Sequence, residues 1–198
     1  IPVGATSAVA RPNTAEIWVT VPNSRHDFSP VSSDRGSVVV VDTVKATAIR
    51  SIAVGLNPSG IAFHPSGSHA YVTCRGSREV QVVDCGTGAS VGSVGVDQYT
   101  PHAIAYLPAT NEVKVAALLS GNNSVTTGTF PGDRDPDFIV DASTVSGFVQ
   151  NLPDRDVVTL AVNPANPALL TQVTGKLATG VTTTQLNLAA HPTNTRLY

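Results

Sequence analysis

The residues with the strongest claim to chemistry are a carboxylate run, a few imidazoles, one serine and two thiols. Asp133-Arg-Asp135-Pro-Asp137 sets carboxylates at alternate positions, with Asp141 a little further on. Hard cations such as calcium are bound by several oxygen ligands, and an Asp-rich loop supplies several. The EF-hand pattern fails, because Phe138 stands where the turn glycine belongs and Thr144 where the closing glutamate belongs. Asp133, Asp135 and Asp137 are therefore candidate calcium ligands outside that motif, and calcium is the one cofactor the residues suggest. The bland reading of the same run is a solvated acidic loop.

His26 and Asp27 lie in one polar segment, and Tyr99 and His102 in another. Imidazole, carboxylate and phenol groups converging from separate loops suit a ligand site, and three of them would suit a transition metal. Nothing in their spacing demands the metal. Gly88-Ala-Ser90-Val-Gly92 matches the Gly-x-Ser-x-Gly nucleophile elbow, which needs a strained strand-to-helix turn. Ser90 instead opens a strand with no helix after it, so no catalytic residue is assigned; a non-catalytic chain is favoured, and a hydrolase resting on the Ser90 pattern stays open as the third-ranked function.

Cys74 and Cys85 invite a disulfide. With Arg75 to Arg78 as a turn, Cys74 faces Glu79, and Cys85 lies about 20 Å along the strand. A disulfide needs Cα atoms within about 7 Å, so no bond is expected. Nor are these thiols a haem site, which requires Cys-x-x-Cys-His.

The elements that must position these groups are short strands in a repeat. Ile61-Ala-Phe-His-Pro-Ser-Gly-Ser-His-Ala-Tyr-Val-Thr73 is echoed at Ala8–Thr20, Ile104–Ala116 and Leu188–Tyr198, anchored by Pro12, Pro65, Pro108 and Pro192. Six residues after each proline stands Trp18, Tyr71, Lys114 or Tyr198. The aromatic residues at that shared position read as packing residues between repeats; an exposed recognition row is the sharper alternative. His64 and His191 precede two of the prolines and belong to the turn. A second echo follows, at Val38–Asp42, Val80–Asp84 and Val157–Ala161, and then a further strand near 46–54, 89–95 and 168–174. The strands are rich in Val and Thr and are bounded by Gly, Pro, Asn and Ser. No 3.6-residue apolar period persists, so helix is a minor component at most.

Four strands in roughly 40–45 residues is the arithmetic of a β-propeller blade. The anchors are spaced 53, 43 and then 84 residues, the last gap about twice the second. It holds either two short blades, with Pro153 as the extra anchor, or one blade with an insertion near 121–155. The match of Asp156-Val-Val-Thr-Leu160 to a third strand favours the single blade. Ile1-Pro-Val-Gly4 resembles the end of a fourth strand, and Tyr198 stops within a second. The expectation is an all-β partial propeller over 1–198, about three antiparallel blades plus partial ones, with further blades or another chain covering its open ends.

Composition agrees. The chain has 198 residues, 13% charged and 41% hydrophobic, with a formal net charge of −2. That excludes the basic face of a nucleic-acid binder and the charge-rich composition of a disordered chain. No apolar run reaches membrane-span length, and no signal peptide is legible. With no Met and Ile at position 1, the chain is expected to be processed or part of something longer.

Tyr71-Val-Thr-Cys74, preceded by Pro58-Ser-Gly-Ile-Ala-Phe-His-Pro-Ser-Gly67 and followed by Val80-Gln-Val-Val-Asp84, resembles the YVTN-type β-propeller repeat. The likeness covers 1–118 and 153–198; Cys74 replaces the usual Asn, and Val115-Ala-Ala117 replaces Val-Thr-Asn. The resemblance implies a seven-bladed, bacterial, extracytoplasmic (periplasmic or secreted) protein, often non-catalytic. Ala117-Leu-Leu-Ser-Gly-Asn122 also resembles large propeller proteins that carry c-type cytochrome modules.

In a propeller the first strand of each blade lines the axis, and the loop between its second and third strands opens on the face where blades are joined. Residues 21–36 and 121–155 enlarge two such loops, whereas Arg75–Arg78 is the short third. With the joins Leu56–Pro58, Asp97–Pro101 and Val181–Gln185 they should share one face. Long loops in compact repeats are usually functional. The expected function is a non-catalytic scaffold binding a protein or small molecule there, through His26, Asp27, Tyr99 and His102. The alternative is a redox protein's propeller that docks or orients a c-type cytochrome module.

Overall fold

A computed structural model of the chain describes residues 4–22, 35–96, 100–118, 155–173, 177–178 and 188–190. Among them every regular element is a strand. The first sheet has the order β1 (Ser7–Ala10), β2 (Glu16–Val21), β3 (Arg35–Asp42) and β4 (Thr47–Leu56). The second runs β5 (Pro58–Phe63), β6 (His69–Cys74), β7 (Glu79–Asp84) and β8 (Ser90–Gly95). The third runs β9 (Thr100–Leu107), β10 (Glu112–Leu118), β11 (Arg155–Asn163) and β12 (Asn166–Gln172), with β13 (Leu177–Ala178) also paired to β11. All neighbours are antiparallel. These are three four-stranded blades in the expected order, and β10 pairs directly with β11 from Glu112–Ala161 to Leu118–Arg155.

The blades stack face to face because each carries apolar residues on both sheet surfaces. Between the first and second blades lie Trp18, Val38, Val40, Ile52 and Val54 against Ile61, Phe63, Ala70 and Val72. Tyr71, Val80 and Val82 of the second blade then meet Ile104, Tyr106, Val113, Val115 and Leu160 of the third. Val38, Val40, Val80 and Val82 are fully buried, each worth about 1.5–3 kcal/mol relative to exposure. β7, buried on both faces, reads as a near-continuous apolar run for this reason.

Trp18 and Tyr71 are both fully buried, so their shared position packs blade on blade and is no exposed aromatic row. Trp18 meets Phe63 edge-on, with centroids 5.4 Å apart, and Tyr71 lies parallel to Tyr106 at 6.0 Å. Phe63 and Tyr106 themselves share one repeat position. Lys114, third in the series, bonds Thr159 Oγ1 at 2.9 Å and pairs with Glu112.

The join between the first two blades falls at Leu56–Pro58, where the sequence places it. β4 ends at Leu56 and β5 begins at Pro58, so Asn57 alone, at φ 49°, turns the chain from one blade into the next. Pro58 can open a strand because it needs no ladder donor on the axial edge.

Candidate functional site

β1, β5 and β9 are the innermost strands, each paired on one side only. Their free edges enclose a cavity of about 600 Å³, lined by Thr6–Ala10, Ser59–Phe63 and His102–Tyr106, with Leu188 and Ala190. All three strands enter from the end where the blades are joined. The β6–β7 loop is anchored at that end: Leu56 N–H donates to Ser77 Oγ at 2.6 Å, and the Arg75 and Gly76 N–H groups donate to the Asn57 and Leu56 carbonyls. Loop and join therefore form one continuous surface at the mouth of the cavity.

A repeated hydroxyl clasp marks this mouth. In the first blade Thr6 Oγ1 lies 2.8 Å from Thr20 Oγ1 and donates to the Pro58 carbonyl of the second. In the second, Ser59 Oγ lies 3.0 Å from Thr73 Oγ1, and both are within 2.9 Å of the His102 carbonyl of the third. Gly60 N–H donates to Thr73 Oγ1. No larger residue would fit at Gly60, where an added Cβ would lie 2.9 Å from the His102 carbonyl oxygen.

The third blade breaks the pattern. His102 occupies the position of Thr6 and Ser59, and Ala116 that of Thr20 and Thr73. His102 lines the cavity, and its Nδ1 is buried with no hydrogen-bond partner. Such an atom costs about 1–3 kcal/mol. Burial pushes the imidazole pKa down and the Arg75 charge pushes it further down, which keeps the ring neutral at pH 7.

Of the residues proposed from sequence, His102 is the one the structure places at this mouth. His26, Asp27, Tyr99 and the calcium candidates Asp133, Asp135 and Asp137 lie outside the described residues, as do His191 and Tyr198. Among the described residues no three His, Cys, Asp or Glu side chains group as metal ligands. Ser90 opens strand β8, and its Oγ accepts a bond from Gln81 Nε2 at 2.6 Å. Cys74 faces Glu79, as the turn predicts, and both thiols are free and buried. His64 sits in the β5–β6 turn, in a hydrogen-bonded series running His64–Ser66–Ser68–His69.

Sequence reading missed Ser59, Thr73 and Arg75. The signal for the first two was present: aligning the repeats puts hydroxyls at 6 and 59 and again at 20 and 73. Arg75 carried no such signal, since a turn arginine reads as solvated.

No protein-family model matches the chain, and no curated protein matches it. Solved structures do. A candidate 6-phosphogluconolactonase of Bacteroides uniformis superposes with a TM-score of 0.59 at 16% identity, over 95% of this chain and 44% of that one. Hydrazine synthase of Kuenenia stuttgartiensis gives 0.53 at 17%, over 88% and 37%. The β-propeller domain of Cps50 (Swd1) from Myceliophteria thermophila gives 0.50 at 13%, over 87% and 39%. The chain thus spans about two-fifths of the length of the solved chains it matches, and at these identities the likeness concerns the fold. With three four-stranded antiparallel blades around one axis, the chain is a partial β-propeller.

Proposed function

We propose that the chain is a non-catalytic propeller scaffold that binds a small ligand or a protein segment at the face where its blades are joined. One observation carries this reading: His102 stands at the mouth of the axial cavity with a buried, unpartnered nitrogen, where the first two blades place hydroxyls bonded to the next blade. Rigid blades with function at one end are a common division of labour. Tyr71-Val-Thr-Cys74, on β6, supports a YVTN-type, extracytoplasmic protein of bacterial kind. Calcium at Asp133, Asp135 and Asp137 would be a loop-stabilising cation in this scheme, checked by a fall in Tm on adding EDTA.

Protein-observed NMR against a library of small polar metabolites tests the choice of face. Binders should perturb Ser59, Arg75 and His102. Perturbations confined to the outer strands β4, β8 and β12 would overturn it. The cytochrome-docking alternative is supported by Ala117–Asn122 alone, and co-purification with a visible haem absorption band would favour it instead.

A further inference from the structure

At the opposite end of the blades from the joins, the β5–β6 turn is closed differently from its counterparts. The residue before each anchoring proline and the residue four after it are Arg11 and Glu16 in the first blade and Leu107 and Glu112 in the third. In the second they are His64 and His69. Arg11 and Glu16 meet in a salt bridge at 2.9 Å. The two imidazoles are instead linked through serines. His64 Nδ1 lies 2.7 Å from Ser66 Oγ, Ser66 Oγ 2.8 Å from Ser68 Oγ, and Ser68 Oγ 2.8 Å from His69 Nδ1. Ser66 is exposed and the other members are half-buried.

Backbone donors fix the direction of this series. Ser66 N–H donates to His64 Nδ1 at 3.3 Å, so that nitrogen holds a lone pair and its ring hydrogen sits on Nε2. Ser66 Oγ–H therefore donates to His64, Ser68 Oγ–H donates to Ser66, and His69 Nδ1–H donates to Ser68. A proton added at His69 Nε2 leaves every link in place. It can also pass along the series, with three hydrogens each moving one link: from His69 Nδ1 to Ser68, from Ser68 to Ser66, and from Ser66 to His64 Nδ1. His69 is then neutral and His64 cationic, both hydroxyls are intact, and only the Ser66 N–H bond is lost. A second proton puts hydrogens on both Nδ1 atoms. The two hydroxyls between them can no longer both donate within the series, and a link breaks.

The turn touches all three blades. Arg11 Nε of the first donates to the Gly67 carbonyl at 2.9 Å, and the His64 ring meets Tyr106 of the third edge-on at 5.4 Å. Asp84 stands opposite His69 across β6 and β7, and Arg11 with its partner Glu16 supplies the charges on the first blade's side. Burial first, and then the His69 charge, hold the His64 pKa down. Both act against the doubly protonated state.

We propose that the β5–β6 turn is an acid-sensitive joint between the blades, in which the His64–Ser66–Ser68–His69 series holds one added proton and opens when it takes a second. The joint is independent of the ligand-binding face, which lies at the other end of the strands.

The test is nitrogen-edited NMR of both imidazoles in the 198-residue chain, from about pH 8 to about pH 4.5. At the alkaline end His64 should carry its hydrogen on Nε2 and His69 on Nδ1. The pair should take up its protons in two steps about one pH unit or more apart. Arg11 Nε–H should keep its protection from exchange through the first step and lose it with the second. Ser68→Ala cuts the series and should bring the two steps together, whereas Ser68→Thr, which keeps the hydroxyl, should leave them apart. The same tautomer on both rings, or uptake of both protons in one step, would overturn the joint. So would a Ser68→Ala chain that titrates as the parent does, or Arg11 protection that persists after the second step.

Discussion

Ser59 Oγ and Thr73 Oγ1 lie 3.0 Å apart, and together they hold the backbone of the next blade at the His102 carbonyl. This pair turns two stacked sheets into neighbours with a fixed angle at the axis. Apolar packing alone would let the blades slide, since dispersion contacts are non-directional and hydrogen bonds are not.

Thr73→Val keeps the shape and removes the hydroxyl, leaving Gly60 N–H and Ser59 Oγ short of a partner. We expect a loss of about 1–3 kcal/mol, read as a lower urea midpoint. A midpoint equal to that of the parent would show that the clasp adds nothing to stability.

Trp18 is the single tryptophan and is fully buried. Its Nε1–H donates to Glu16 Oε2 at 3.0 Å, Arg11 pairs with the same oxygen, and Arg50 lies over the ring at 5.7 Å. Native emission should be blue-shifted and should move red on unfolding. Trp18→Ala should cost about 3–5 kcal/mol, and Trp18→Phe less, because Phe keeps the contact with Phe63 and loses the bond to Glu16. Equal costs would show that packing contributes nothing beyond the indole N–H.

Cys74 and Cys85 have no role in the proposed site. Burial pushes both thiols up to about 12, so neither forms appreciable thiolate at pH 8. An aromatic disulfide reagent should find no reactive thiol in the native chain and both after denaturation. Rapid native labelling at either position would contradict the burial.

Stability should fall with acid in two stages. Burial is the first cause that lowers the pKa of His102 and of His64, with the charges of Arg75 and His69 respectively second. The unfolded chain then binds protons from about pH 6.5 downward while the folded chain does not, so stability declines below that pH. Burial raises the carboxyl of Glu16, but bonds from Trp18 and Arg11 outweigh it, and Thr110 and Lys114 do the same for Glu112. Their contribution is present above the ordinary glutamate value of 4.5 and is lost below it. Urea midpoints from about pH 8 to 5 isolate the histidine stage, and His102→Ser should shrink it to the part that His64 contributes.

The sequence by itself determined the strands, their grouping in fours and the packing role of Trp18 and Tyr71. Those features are local or periodic: alternation within a strand, a proline-anchored turn, and one aromatic position per repeat. It also named His102, as a polar residue opening a first strand. Only the tertiary structure decided that Ser59, Thr73 and Arg75 belong beside it. The Ser59 bond to the His102 carbonyl joins residues 43 apart in the chain, and the Tyr71 bond to Pro167 joins residues 96 apart. No single repeat specifies such partners, because each side chain completes its hydrogen bonds on the neighbouring blade. The unpartnered nitrogen at His102 became visible only once the blades were stacked and the same position could be compared in three of them.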